Sequence, residues 1–402
     1  MFCAAAPRRS QRLLRAAAAL LVALGPLVAN TRPVFAQAQS GEVVIKSPQA
    51  ILIDADSGGI LFQRNADELV PPASMSKLML LIMIYNALRS GEITPETEVM
   101  MSEYAWRTGG APSRTSAMFV PLGKTAKVDE MLKGIIVQSG NDASIAMAER
   151  LGGSESRFAD AMTEQARRLG LKKSVFRNAT GLHHPEHLST MRELAALARI
   201  IIRDYPEYYP MFAQREFSYR QHKFFNRNPL LGAVAGVDGL KTGYVKESGY
   251  GIVASAKVDN RRLIMVIGGA ATPEDRKDDG RRLLEWGFKN FSEVRLFDVG
   301  EIVGHARVWG GNRMYMPLTG DNGVNIVLPR FPANQKLSAR IFYNGPLKPP
   351  LKKGDQVATL RVTTSTEAMN EVPLFAAENV QKAGFVRRGL DSVLYLATGW
   401  MR

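Results

Sequence analysis

A chain of 402 residues exceeds what one hydrophobic core usually organises, so two or three domains are expected. Its 46% hydrophobic and 22% charged fractions are those of soluble globular proteins, which excludes a disordered chain, a collagen-like repeat and a polytopic membrane protein. The formal net charge of +14 favours anionic partners, and charge alone does not choose among membrane surfaces, acidic polymers and nucleic acid.

Residues 1–38 hold Arg8, Arg9, Arg12, Arg15 and Arg32 and no acid. The Arg-rich start, the apolar run from Ala16 to Ala29 and the small-residue site Ala36-Gln37-Ala38 predict an export signal cleaved after Ala38. The run is interrupted by Pro26 and falls short of the about 20 apolar residues of a spanning helix. Arg8-Arg9 leaves the twin-arginine export route open beside the general one. Cys3 is the one cysteine, so cleavage leaves a mature chain without a disulfide, a thiol nucleophile or a zinc-thiolate site.

A linker is expected over 39–47 and a first domain over 48–291. Ala50-Ile51-Leu52-Ile53-Asp54 and Gly59-Ile60-Leu61-Phe62-Gln63 flank Asp56-Ser57-Gly58, the composition of a β-hairpin. Residues 74–88 turn helical, and 78–84 are apolar on every side, as in a helix enclosed by its domain. Helical spacing recurs over 128–137, 143–151, 155–169 and 190–203. Strand signals return over 236–242, 249–258 and 262–268, before a helix over 277–288. Strands, a helical block, strands and a final helix predict an α/β or α+β domain with an antiparallel sheet. Over 292–376 short alternating runs between Gly, Pro, Asn and Asp predict a small all-β domain. Over 377–402 helical spacing returns: Val386, Leu390, Val393, Leu394, Ala397 and Trp400 form one apolar face, with Arg387, Arg388 and Asp391 beside or opposite it. Too short to cross a bilayer, that segment is expected to lie on an anionic membrane surface as an amphipathic anchor.

Three short motifs carry chemistry. Ser74-Met75-Ser76-Lys77 sets a hydroxyl one helical turn from an amine, and a serine needs such a neighbour, because a buried, neutral lysine can take its proton. Ser139-Gly140-Asn141 falls in the break between two apolar helices, and Lys241-Thr242-Gly243 ends a strand. In the order S-x-x-K, S-x-N, K-T-G, the trio is the signature of penicillin-recognising serine acyltransferases. His183, His184 and His187 have the short spacing of a metal cluster, but no further ligand pattern accompanies them and the motifs need no metal, so neither metal nor cofactor is expected. Arg261-Arg262 and Arg281-Arg282 are expected to be solvated faces, without a nucleic-acid partner.

On these motifs the chain resembles the low-molecular-mass penicillin-binding proteins, the D-alanyl-D-alanine carboxypeptidase family of bacterial cell-wall enzymes. The similarity extends to Pro72-Ala73, Gln138 to Ala143, Val237 to Tyr244, Ala254-Ser255-Ala256 and Leu284 to Phe288, and so to nearly the whole mature chain. Val245 and Ser248 depart from it, where Thr and Ala are expected after K-T-G.

The resemblance implies a β-lactamase/transpeptidase-like catalytic domain and an exported, peripherally anchored enzyme on the extracytoplasmic face of the membrane. It would remove the terminal D-alanine from the stem pentapeptide of peptidoglycan through an acyl-enzyme, and β-lactams would acylate it. By the same resemblance Ser74 would attack the penultimate D-Ala carbonyl and Lys77 would take its proton. The N–H groups of Ser74 and Tyr244 would form the oxyanion hole, Ser139 and Lys241 would relay a proton to the leaving D-Ala, and Asn141 would hold the substrate amide. Lys241, Thr242 and Gly243 would bind the peptide edge-on, with Thr242 on its carboxylate, and Arg227 and Arg276 match arginines lining the family's cleft. The alternatives are a serine β-lactamase, which the absence of an E-x-x-L-N segment after Ser139 disfavours, a DD-endopeptidase, and an inactive wall-binding scaffold.

Overall fold

The computed structural model describes residues 43–330, 336–363 and 369–385. The expected export segment, with Cys3, and the expected apolar face from Val386 to Trp400 lie outside the described residues.

Strands β1 (Gln49–Asp54) and β2 (Ile60–Arg64) form the expected hairpin. A 3-10 turn over Ala73–Ser76 leads into α1 (Lys77–Ser90), which is enclosed, with Leu78 to Ile82 all fully buried. A two-stranded ribbon, β3 (Glu98–Met100) with β4 (Thr125–Lys127), brackets α2 (Glu103–Gly109). The helix expected over 128–137 is α-helical only in α3 (Val128–Lys133) and widens into a π turn over Gly134–Gln138. Helices α4 (Asn141–Gly152), α5 (Glu155–Arg168) and α6 (Met191–Asp204) complete the helical block. A second ribbon, β5 (Glu216–Tyr219) with β6 (His222–Phe225), precedes strands β7 (Val237–Val245), β8 (Gly249–Val258) and β9 (Arg261–Ala270) and helix α7 (Pro273–Asn290).

The sheet runs β2-β1-β9-β8-β7, antiparallel throughout, with β7 at its end. Because strand residues alternate faces, β9 sends Leu263, Met265 and Ile267 into the core that holds Leu283 and Leu284 of α7. Ile264 and Val266 enter the larger core that holds α1, α4 and α6. Both faces of the sheet are covered, so its central strands read as near-continuous apolar runs.

The linker expected over 39–47 is packed from Val43 onward. Val43 and Ile45 are buried, and the N–H groups of Lys46 and Ser47 donate to the buried Asp279 carboxylate at 3.0 and 2.7 Å. Arg261-Arg262 is not a solvated face either: Arg262 pairs with Asp238 at 2.7 Å, and Arg261 donates to the Phe291 carbonyl at 2.8 Å. Two consecutive cations in sequence do not show that their side chains reach Asp238 on β7 and the end of α7.

Beyond α7 the chain is all β. Strand β10 (Phe291–Phe297) leads to β11 (Ile302–Arg307), β12 (Tyr315–Thr319), β13 (Val324–Pro329), β14 (Ser338–Phe342), β15 (Gln356–Thr363) and β16 (Met369–Ala376). β10 pairs with β13, and the others run in the order β11-β12-β16-β15-β14. A separate core of Met316, Leu318, Ile326, Leu360 and Leu374 fills this unit. The helix expected from 377 does not start there: Val380 is buried and exchanges both backbone hydrogen bonds with Leu351 at 2.9 Å, and the Asn312 N–H donates to the Gln381 carbonyl at 2.9 Å. Helical spacing of apolar residues cannot distinguish this short extended edge from a first helical turn.

Candidate active site

The nucleophile candidate sits in the 3-10 turn, where Ala73 has φ 49°. Two glycines let backbone close around that turn. A Cβ on Gly181 (φ 78°) would lie 2.0 Å from the Ala73 carbonyl oxygen, and a Cβ on Gly243 would lie 3.0 Å from the Pro72 carbonyl oxygen. The loop after α5 and the edge strand β7 therefore flank Ser74 directly.

Lys77, one turn on, is fully buried. Its Nζ lies 3.0 Å from Ser74 Oγ, 2.8 Å from Asn141 Oδ1 and within hydrogen-bond reach of the Thr180 carbonyl oxygen. Burial lowers its pKa to about 7; the positive field of Arg227 adds to the shift, and the carboxylates of Glu155 and Asp142 oppose it. A neutral amine has two hydrogens and one lone pair. Asn141 Oδ1 and the Thr180 carbonyl can only accept, so they take both hydrogens and leave the lone pair for the Ser74 hydroxyl.

Asn141 opens α4, and its carboxamide is engaged on both sides, with Oδ1 on Lys77 and Nδ2 donating to Thr115 Oγ1 at 3.0 Å. One amide hydrogen remains for a substrate. Its backbone N–H donates to the Ser116 carbonyl at 2.7 Å. Next to it, the buried Asp142 carboxylate accepts from the N–H groups of Met118 and Phe119, both at 2.8 Å, and of Val120 at 3.3 Å. Asp142 thus fastens the 115–120 loop to the start of α4. Glu155 does the same for the loop on the other side, accepting from the Ala179 N–H at 2.9 Å, just before Thr180.

Ser139 is buried with φ 65°, and its Oγ has no hydrogen-bond partner among the described residues. Lys241 is also buried; among the described residues its Nζ donates only to the neighbouring Thr242 carbonyl, at 3.4 Å. Burial holds its pKa well below the usual lysine value, and the charges of Lys77, Arg227 and Arg276 lower it further. The Ser139–Lys241 relay that the resemblance implies is not closed by a hydrogen bond in this structure.

A cleft of about 460 Å³ is lined by Ser74, Ser139, Thr242, Gly243 and Tyr244 together with Arg227, Arg276, Ser116 and Tyr250. Arg276 lies over the Tyr250 ring, 5.6 Å from its centroid, and its buried Nε has no partner among the described residues. Ser116 and Tyr250 were not legible as site residues: neither belongs to a motif, and each arrives through pairing, Tyr250 opposite Tyr244 and Ser116 through the Asn141 N–H. Ser248, one of the two departures from the family pattern, donates to the Pro71 carbonyl at 2.7 Å and ties the β7–β8 turn to the segment before Ser74. The histidines fall on the loop after α5. His187 is buried against Phe176 with its pKa lowered to about 3 by that burial, and its Nδ1 accepts from the Arg177 N–H at 3.1 Å. Among the described residues no group of His, Cys, Asp and Glu is arranged to hold a metal ion.

The family model of D-alanyl-D-alanine carboxypeptidase matches residues 35–272, and that of the penicillin-binding protein 5 C-terminal domain matches residues 291–382. The chain is 35% identical over 369 residues to the D-alanyl-D-alanine carboxypeptidase DacC of Escherichia coli, covering 91% of this chain and 92% of that one. Penicillin-binding protein 5 of Haemophilus influenzae superposes with a TM-score of 0.71 at 31% identity, over 85% of this chain and 99% of that one. Penicillin-binding protein D2 of Listeria monocytogenes, in an ampicillin-bound form, superposes with a TM-score of 0.54 at 28% identity, over 62% of this chain and all of its own.

Proposed function

The chain belongs to the D-alanyl-D-alanine carboxypeptidase family and is a serine hydrolase of that class, and from that premise we propose that Ser74 is its nucleophile and Lys77 the base that activates it. The observation that carries the assignment is the set of three neighbours around Lys77 Nζ, two of which can only accept. In this reading Ser74 Oγ bonds to the carbonyl carbon of the penultimate D-alanine while its proton passes to Lys77. The tetrahedral oxyanion is held by the N–H groups of Ser74 and Tyr244. Its collapse breaks the peptide bond, and the departing D-alanine nitrogen takes a proton by way of Ser139 and Lys241. Water then hydrolyses the ester and frees Ser74.

The cleft supplies what a C-terminal carboxylate needs. Thr242, Arg227 and Arg276 line it, so two guanidinium groups face an incoming anion, and partial burial lowers the pKa of each. β7 ends the sheet, so its outer edge can pair with an extended peptide by main-chain hydrogen bonds. A β-lactam presents a carboxylate and a reactive amide to the same groups, and the ampicillin-bound relative supports Ser74 acylation by such compounds here. For residues 386–402 the reading remains an amphipathic segment lying on an anionic membrane surface, supported by the spacing of Val386, Leu390, Val393, Leu394, Ala397 and Trp400. Among the described residues no helix is long and apolar enough to cross a membrane. The extracytoplasmic location rests on the export signal read in residues 1–38. Release of free D-alanine from a diacetyl-Lys-D-Ala-D-Ala peptide tests the reaction: wild-type protein releases it and Ser74→Ala does not, whereas release by the variant would assign the nucleophile elsewhere.

A further inference from the structure

We propose that Glu247, on the turn between β7 and β8, selects substrates by pairing with a cationic side chain on the residue that precedes the two D-alanines. The inference rests on the reading of the cleft above and extends it past the scissile bond. With the terminal carboxylate at Thr242 and the scissile carbonyl at the Tyr244 N–H, the bound peptide runs opposite to β7. At about 3.3 Å per residue, the residue before the two D-alanines falls beside Val245 and Lys246, and a long side chain from it reaches Glu247. A second groove, of about 720 Å³, shares Tyr244 and Tyr250 with the catalytic cleft and is lined beyond them by Glu68, Lys246, Glu247 and Ser248.

The Glu247 carboxylate faces the loop that follows α5. His183 Nδ1 is 3.6 Å from Glu247 Oε2, with both side chains nearly half exposed. His183 follows Thr180, whose carbonyl contacts both Ser74 and Lys77, so the contact spans the two walls on either side of the nucleophile. A peptide leaving the cleft in this direction crosses the pair. The turn is a fixed platform for it, because Ser248 Oγ donates to the Pro71 carbonyl at 2.7 Å. Lys246 carries the opposing charge, but Glu68 and Glu247 leave the groove net acidic, unlike the arginine-lined carboxylate end of the cleft. An ammonium group is the complement of the first region, a carboxylate of the second.

The test compares kcat/KM for D-alanine release from two peptides ending in Lys-D-Ala-D-Ala, one with a free ε-amine and one with that amine acetylated. Wild-type protein is expected to favour the free amine by roughly two- to fivefold, the scale of a partly exposed ion pair. Glu247→Gln should bring that ratio to about one, and His183→Ala, which removes the competing partner, should keep or raise it. A ratio of one in wild-type protein, or a preference that survives in Glu247→Gln, overturns the proposal. So does an equal loss on both peptides in Glu247→Gln, which is what a merely structural role produces. No release from either peptide by wild-type protein would overturn the reading of the cleft as well.

Discussion

Lys77 has three polar neighbours, and two of them are carbonyl oxygens. That count, together with a pKa lowered to about 7, makes the amine a base near neutral pH where a solvated lysine would be an acid. Acylation should therefore rise with pH through a midpoint near 7 as Lys77 loses its proton. The same shift has a stability consequence of fixed sign. The folded-state value lies below the ordinary 10.5, so between about 7 and 10.5 the unfolded chain binds the extra proton and stability rises with pH. Lys77→Ala should lower the acylation rate by about two to four decades. Stopped-flow labelling across pH checks the two statements about acylation; a flat wild-type profile, or near-wild-type acylation in Lys77→Ala, would require another base. The S-x-x-K spacing alone showed that Ser74 and Lys77 share a face. It did not show what else surrounds the amine, because Thr180 contributes a backbone carbonyl, which leaves no mark on residue identity.

At the scale of elements, the three motifs stand on three pieces of structure that meet only because loops between them are held. Asp142 and Glu155 hold those loops, each by accepting backbone N–H groups while largely buried. Asp142→Ala would leave the N–H groups of Met118, Phe119 and Val120 without their carboxylate partner, a cost of about 3 kcal/mol. Urea unfolding should show a loss of that order, together with weaker acylation as the Ser116 loop drifts from the cleft; an unchanged midpoint would show that the loop holds itself. The sequence made β8 readable to the residue and α1 nearly so, since apolar runs and glycine breaks bound them. It did not reveal the π turn before Ser139, or the two small ribbons that pack around the helical block. Ribbons with three or four residues per strand carry too few alternations to register as strands.

For the whole molecule, the catalytic fold and the β unit meet through a shared sheet and a shared core. Met369 of β16 pairs with Ile60 of β2, and Val327 of β13 is buried in the core that holds Leu52, Leu263 and Leu284, so the β unit continues the catalytic sheet. The composition change after Phe291 marked the new unit but not this connection, because long-range pairing is not encoded in local spacing. At the C-terminus, residues 377–383 belong to the β unit, and Phe385 is 91% exposed beyond it. A cut after Phe385, not after Ala377, should therefore release the enzyme from anionic vesicles with its peptidase activity and thermal stability intact. Full-length protein that never sediments with such vesicles would contradict a surface anchor.

Mass spectrometry of the protein after incubation with a penicillin, first intact and then digested, bears most directly on Ser74 as the nucleophile that Lys77 activates. One penicilloyl group per chain is predicted, on the peptide containing Ser74, and none on Ser74→Ala. An adduct mapped to any other residue, or one that persists in Ser74→Ala, would contradict the assignment.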